Sequence, residues 1–147
     1  MKIVYNACYG GFSLSPKALA LFASKKGKEC YFFRGLNNDV PVSLDEIGRH
    51  EFFMAYSVPN PDFKRMRTRD EDGLFKSANE YANTISLCCR DIDRNDQDLV
   101  AVVEELGEAA SGSCAKLKIA DIPDGAEYEI EEYDGLEQVV PPRQTWS

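Results

Sequence analysis

The chain has 147 residues, with 25 Asp and Glu against 17 Lys and Arg, so its formal net charge is −8. This acidic charge argues against a nucleic-acid-binding protein with a basic face, and no apolar run approaches the ~20 residues that span a bilayer. Five cysteines without a CxxC pair, beside one histidine, argue against zinc and favour reduced thiols in a cytoplasm. We expect a metal-free protein without a cofactor. The length predicts one domain, residues 1–147, with its own hydrophobic core.

The first elements in chain order are a strand, a glycine turn, a helix and a second strand. Ile3–Tyr5 reads as the first strand and Cys30–Phe33 as the second. Between them, Ser15 is a helix cap and Pro16 opens a helix predicted over Pro16–Lys26. A parallel βαβ unit is the natural interpretation, although the short link leaves an antiparallel return open.

The middle of the chain is less regular. Alternation and aromatic content predict strands at Glu51–Val58 and Thr84–Cys88. Between them, residues 62–73 alternate basic and acidic blocks without an apolar period, which predicts a mobile charged excursion. Its basic half has the chemistry to clamp a phosphate or a carboxylate, and a solvated loop is the alternative.

The last third contains the strongest local patterns. Apolar residues at three- and four-residue spacing predict a helix over Gln97–Ser111, and a strand follows at Cys114–Ile119. The dipeptide Asp134-Gly135 between two alternating runs predicts a hairpin, and residues 141–147 read as an irregular tail. The fold expected is α+β: a single domain with a mixed sheet, two main helices, an N-terminal strand–Gly turn–helix–strand unit and a C-terminal hairpin.

The glycine turn is the main candidate for a binding site. Gly10 and Gly11 permit close backbone approach just before a helix N-terminus, whose free N–H groups and dipole favour an anion. Flanking aromatics would stack on a ring, and arginines would complete a phosphate site. The predicted ligand-binding residues are Tyr9, Gly10, Gly11, Phe12, Ser13, Arg90, Arg94, Arg143 and Trp146. The alternative is a tight turn whose aromatics pack into the core.

Catalysis has weaker support, and no catalytic residue is assigned. Ser13, Ser15 and Cys8 are candidate nucleophiles, but His50 is the sole imidazole and lies in an unrelated charged segment. A cluster of aspartates, Asp91, Asp93, Asp96 and Asp98, has the chemistry to hold Mg²⁺ or Ca²⁺. Helix capping by the same residues is the favoured alternative.

Three segments carry a resemblance: residues 5–15 (YNACYGGFSLS), residues 98–107 (DLVAVVEELG) and residues 131–137 (EEYDGLE) with the closing RQTW. They resemble a family of small uncharacterised proteins of tailed bacteriophages and prophages, a likeness that does not extend to residues 36–80. The resemblance implies a phage origin and no particular activity.

The expected function is that of a phage-encoded, non-catalytic binding protein in the cytoplasm of an infected bacterium. It would counteract a host defence by sequestering an anionic, nucleotide-type ligand. Two alternatives stay open. One is an acidic protein that inhibits a host protein by covering a basic surface, and the other is a metal-dependent hydrolase using Asp91–Asp98. Self-association into a homo-oligomer also stays open.

Overall fold

The computed structural model describes residues 1–37, 39–48, 52–87 and 92–141. The chain groups into two compact units. Unit 1 contains Met1–Phe22 and Cys89–Ser147, and unit 2 contains Ala23–Cys88. The single domain expected over residues 1–147 stays a prediction.

Seven strands and four α-helices are defined in the described residues. In chain order they are β1 (Lys2–Asn6), α1 (Pro16–Lys25), β2 (Tyr31–Arg34), β3 (Val40–Val42), β4 (Met54–Tyr56), α2 (Phe63–Met66), α3 (Lys76–Ile85), α4 (Gln97–Leu106), β5 (Leu117–Asp121), β6 (Glu129–Tyr133) and β7 (Leu136–Val140). Short 3₁₀ turns occupy Leu44–Glu46 and Gly107–Ala110.

Unit 1 is built on strand β1, in which Ile3, Val4 and Asn6 are buried. β1 pairs antiparallel with β5, and β6 pairs antiparallel with β7 as a hairpin. Ile3 and Val4 of β1 are fully buried, as are Leu99 and Val102 of helix α4. The helix forms where it does because Asp96 caps its first turn and its apolar stripe has a strand to cover.

Unit 2 contains a three-stranded antiparallel sheet in the order β3-β2-β4. Its core cluster consists of Phe33, Tyr56 and Ile85, with Phe63 and Met66 of helix α2 packed against it. Ile85 comes from the last turn of α3, so both short helices of this unit are anchored through apolar side chains.

The α+β class, the two predicted main helices and the C-terminal hairpin are confirmed. The order strand, glycine turn, helix, strand is also confirmed, but β1 and β2 lie in different sheets. The parallel βαβ interpretation is therefore wrong, and every strand pair in the described part of the chain is antiparallel. The described residues form three separate antiparallel sheets in place of the predicted mixed sheet, because β1 pairs with the distant strand β5 and not with β2.

Two middle segments differ from expectation. The strand predicted at Thr84–Cys88 is wrong at Thr84 and Ile85, because helix α3 continues to Ile85, whereas Ser86 forms a single antiparallel bridge with Tyr56 of β4. Ala78 and Ile85 are its buried positions, seven residues apart on one helical face. Within the charged excursion predicted at 62–73, Phe63–Met66 form helix α2, and the mobility of this segment stays a prediction.

Candidate functional site

The glycine turn meets the rest of unit 1 at Asn6, the last residue of β1, whose side chain is fully buried. Its Nδ2 donates to the carbonyl oxygens of Cys8 at 2.7 Å and Gly135 at 2.8 Å. Its Oδ1 accepts from the backbone N–H of Lys116 at 2.9 Å, and its own N–H donates to Glu137 Oε1 at 2.8 Å. One asparagine thus joins the end of β1, the start of the glycine turn, the residues before β5 and the hairpin turn.

Arg94 and Glu137 form a bidentate ion pair beside Asn6. The two guanidinium nitrogens lie 2.6 and 2.9 Å from the two carboxylate oxygens. The Glu137 side chain is 7% exposed and that of Arg94 20%. The Arg94 Cζ lies 3.6 Å from the centroid of the Phe12 ring, a cation–π contact. We call Asn6, Phe12, Arg94 and Glu137 the Glu137 network.

The hairpin turn packs directly on the glycine turn. The N–H of Gly10 donates to the carbonyl oxygen of Asp134 at 3.2 Å. A Cβ built on Gly135, whose φ is +87°, would overlap Gly11 N and lie 2.7 Å from Gly10 N. A Cβ on Gly10, whose φ is +112°, would lie 2.6 Å from Cys114 Cβ. These glycines allow a close approach to the turn, as the sequence predicts. The group that approaches is the backbone of the hairpin turn, at the place where a ligand was expected.

The N-terminus of helix α1 is also occupied by protein groups. Ser15 Oγ accepts from the N–H of Ala18 at 3.1 Å and donates to the Ala109 carbonyl at 2.6 Å. The carbonyl of Ser13 accepts from the N–H of Gly112 at 3.0 Å. Ser15 therefore is the cap that the sequence predicts.

The structure brings Gly10, Gly11, Phe12 and Arg94 together, as the predicted binding site requires. Tyr9 is next to them in the chain and is 57% exposed. Three further predicted members, Arg90, Arg143 and Trp146, lie outside the described residues.

Sequence reasoning missed two members of the Glu137 network, Asn6 and Glu137. An asparagine closing an apolar strand just before a glycine turn was a usable signal for the first. The local sequence gave no signal for Glu137, because it has the pattern of an ordinary exposed carboxylate on a strand after a hairpin turn.

The catalytic and metal candidates find no assembled site in the described part of the chain. Asp96 Oδ1 accepts from the N–H groups of Asp98 and Leu99 at 2.8 and 3.2 Å, which is the capping alternative. Among described residues, no three His, Cys, Asp or Glu side chains are grouped to hold a metal ion. Asp91 and His50 lie outside the described residues.

Negative charge is concentrated in unit 1. This unit has 15 Asp and Glu against seven Lys and Arg, whereas unit 2 has ten of each, so the whole net charge of −8 belongs to unit 1. Residues 119–142 contain eight acidic residues and no Lys or Arg. All eight except Glu137 are exposed.

The hairpin presents part of this charge beside an aromatic side chain. Strand alternation and register place Val140 and five further residues on one side, and we call these five the acidic hairpin face: Glu129, Glu131, Tyr133, Leu136 and Gln138. Tyr133 is 76% exposed. Four of the five, with Glu132, line a shallow cleft of about 350 Å³.

Comparison of the chain with protein-family models, curated proteins and solved structures found no match. No helix among the described residues is both long enough and apolar enough to cross a membrane. The phage resemblance therefore stays a prediction, and the function is argued from the site itself.

Proposed function

We propose that the protein is a non-catalytic binding protein whose acidic hairpin face covers a basic surface of a host protein. The observation that carries this proposal is that residues 119–142 contain eight acidic residues and no Lys or Arg, within the unit that holds the net charge. The resemblance of both chain ends and α4 to phage proteins supports a bacterial host as the source of the partner.

The hairpin is a better binding surface than helix α4, the other acidic part of unit 1. On α4, Glu104 already binds Lys2 Nζ at 2.7 Å. The acidic hairpin face instead combines carboxylates with exposed Tyr133 and with a cleft. Tyrosine is enriched at interface hot spots, and an aromatic face beside carboxylates suits an arginine or lysine side chain.

Sequestration of a nucleotide at the glycine turn, the function expected first, has less support. A phosphate there would compete with Asp134 for the Gly10 N–H and with Glu137 for Arg94. Displacing Glu137 would leave a buried carboxylate without its cation, which costs several kcal/mol. The glycine turn and Arg94 are better explained as parts of the fold.

The test uses the full chain as bait in a bacterial lysate, with retained proteins identified by mass spectrometry at low and high salt. The hairpin variant, Glu127→Gln/Glu129→Gln/Glu131→Gln, removes two charges of the acidic hairpin face and the exposed charge of Glu127 just before β6. The matched control, Glu104→Gln/Glu105→Gln/Glu108→Gln, removes three charges from the end of α4 and the 3₁₀ turn after it, in the same unit. Tyr133→Ala tests the aromatic contribution without changing the charge.

We expect that wild type and the α4 control both retain a basic protein from the lysate. The hairpin variant should not retain it. Retention should fall as salt rises, because exposed ion pairs are screened. Equal retention by both triple variants would assign binding to general acidity and contradict the proposal. The proposal would also be contradicted if Tyr133→Ala and the hairpin variant both retain the partner as well as wild type does.

A further inference from the structure

Unit 2 carries a basic segment, Lys64–Arg69, in which three arginines each lie over a different aromatic ring. The Cζ of Arg65 lies 4.5 Å from the Tyr81 ring centroid and that of Arg69 lies 5.1 Å from the Phe75 ring centroid. Arg67 lies 6.0 Å from the Phe63 ring centroid. Three such contacts within five residues far exceed the usual frequency of about one per 70–80 residues.

The segment is held in place by the core of unit 2. Phe63 contacts the Phe33 and Tyr56 rings at centroid distances of 5.4 and 6.2 Å. Tyr81 is fixed through its hydroxyl, which accepts from the N–H of Asp62 at 2.8 Å. Arg65 and Arg67 therefore lie over rings that the fold of unit 2 holds in place, which lowers the entropy cost of using Arg65 in binding.

The acidic residues around the basic segment are mostly bound to their own chain. Asp62 caps helix α2 by accepting from the N–H of Arg65 at 3.0 Å. Asp70 Oδ2 accepts from the N–H of Ser77 at 3.3 Å, and Asp72 pairs with Lys76 at 3.6 Å. Exposed Glu71 is the acid of this run without such a contact among the described residues.

The three arginines differ in their own partners. Arg67 pairs with Asp39 at 3.4 Å and donates to the Asn37 carbonyl at 3.2 Å. Arg65 and Arg69 are exposed and form no ion pair with any described residue. Their guanidinium groups rest on rings with their N–H edges open to an acceptor.

We infer that the ring-stacked guanidinium groups of Arg65 and Arg69 on unit 2 each bind a phosphate group of a phosphate-bearing ligand. The planar guanidinium fork matches two phosphate oxygens, and stacking on a ring orients the fork without consuming its donors. Phe75, the ring under Arg69, and its neighbour Leu74 are 38% and 50% exposed and offer apolar contact to an attached base or sugar. This site is separate from the acidic hairpin face and does not depend on the function proposed for it.

The experiment measures binding of three probes to the full chain: inorganic pyrophosphate, ATP and a fluorescent ten-nucleotide single-stranded RNA. Heparin serves as a sulfated, phosphate-free polyanion. The test variant is Arg65→Gln/Arg69→Gln, and Arg65→Lys/Arg69→Lys keeps the charge but removes the fork. Lys17→Gln/Lys28→Gln is the control, because it removes two positive charges from exposed lysines elsewhere.

We expect at least one phosphate probe to bind wild type and the control Lys17→Gln/Lys28→Gln with equal affinity. Arg65→Gln/Arg69→Gln should weaken it at least about tenfold, as expected for loss of charge-assisted contacts. Arg65→Lys/Arg69→Lys should also weaken binding of the phosphate probe, because an ammonium group cannot bind in bidentate fashion. Binding of ATP and pyrophosphate without RNA would identify a free phosphate ligand, and tighter binding of RNA would identify a nucleic-acid backbone; either supports the site.

Three results would overturn the inference. The first is that no phosphate probe binds. The second is that Arg65→Gln/Arg69→Gln binds as wild type does. The third is that heparin binds as tightly as the phosphate probes and that Arg65→Lys/Arg69→Lys binds them as wild type does. That pattern would show that binding depends on positive charge alone. Circular dichroism of each variant verifies the fold, and Tyr81→Leu, which keeps both charges, should lower affinity by releasing Arg65 from its ring.

Discussion

Replacement of Glu137 by alanine is the sharpest test of the Glu137 network. The substitution leaves the guanidinium of Arg94, whose side chain is four-fifths shielded, without its carboxylate. It also leaves the fully buried Asn6 N–H without an acceptor. Breaking a buried ion pair costs about 3–5 kcal/mol, and an unpaired buried donor costs about 1–3 kcal/mol. Because water still reaches part of Arg94, we expect a total loss of about 3–5 kcal/mol.

Urea unfolding followed by circular dichroism measures this loss as a lower midpoint, and hydrogen exchange of β1 and β7 assigns it to unit 1. The matched control is Glu129→Ala, an exposed carboxylate on the same hairpin, which should change stability by less than about 0.5 kcal/mol. In Glu137→Ala/Arg94→Met no guanidinium is left without its carboxylate, so its cost should be smaller than the sum of the single substitutions. Equal midpoints for Glu137→Ala and Glu129→Ala would refute the account of the network.

Three further outcomes are expected. Gly135→Ala should cost about 1–3 kcal/mol in urea unfolding, because its Cβ would overlap Gly11 N at a φ of +87°; wild-type stability would contradict the close packing. Asn6→Leu should cost about 1–3 kcal/mol by leaving the N–H of Lys116 unpaired, measured in the same way. Burial raises the pKa of Cys30 from 9.0 to about 12, so iodoacetamide at pH 8 followed by peptide mapping should label it far more slowly than exposed Cys114. Because the folded form then holds a proton that the unfolded form loses, the stability contributed by Cys30 is present below pH 9 and falls as pH rises toward 12.

Local signals recovered the elements whose ends are fixed by neighbouring residues. Pro16 and Ser15 define the start of α1, Asp96 caps α4, and Asp134-Gly135 closes the hairpin, all within a few residues of the element they control. Strand partners were not recoverable in this way. β1 pairs with β5, more than a hundred residues away, and no local pattern specifies that choice.

The strand predicted at Thr84–Cys88 failed for a related reason. Thr84 and Ile85 are β-branched and favour a strand locally, yet Ile85 closes a helix whose buried face meets the Phe33 and Tyr56 cluster. Tertiary burial outweighs a propensity difference of a few tenths of a kcal/mol per residue. The basic segment at Lys64–Arg69 similarly looked like solvated loop, because its anchoring residue Phe63 finds its ring partners only in the folded unit.

The glycine turn and the basic segment show what decides between a fold contact and a binding site. Both present arginine and aromatic groups, so composition alone treats them alike. At the glycine turn, the fork of Arg94 is already engaged by the carboxylate of Glu137, which another element supplies. In the basic segment, Arg65 and Arg69 are stacked and oriented, yet they retain donors without an anion among the described residues. Since an arginine binds a ligand only with donors that the fold has not used, an incoming phosphate should prefer unit 2 to the turn that the sequence first indicated.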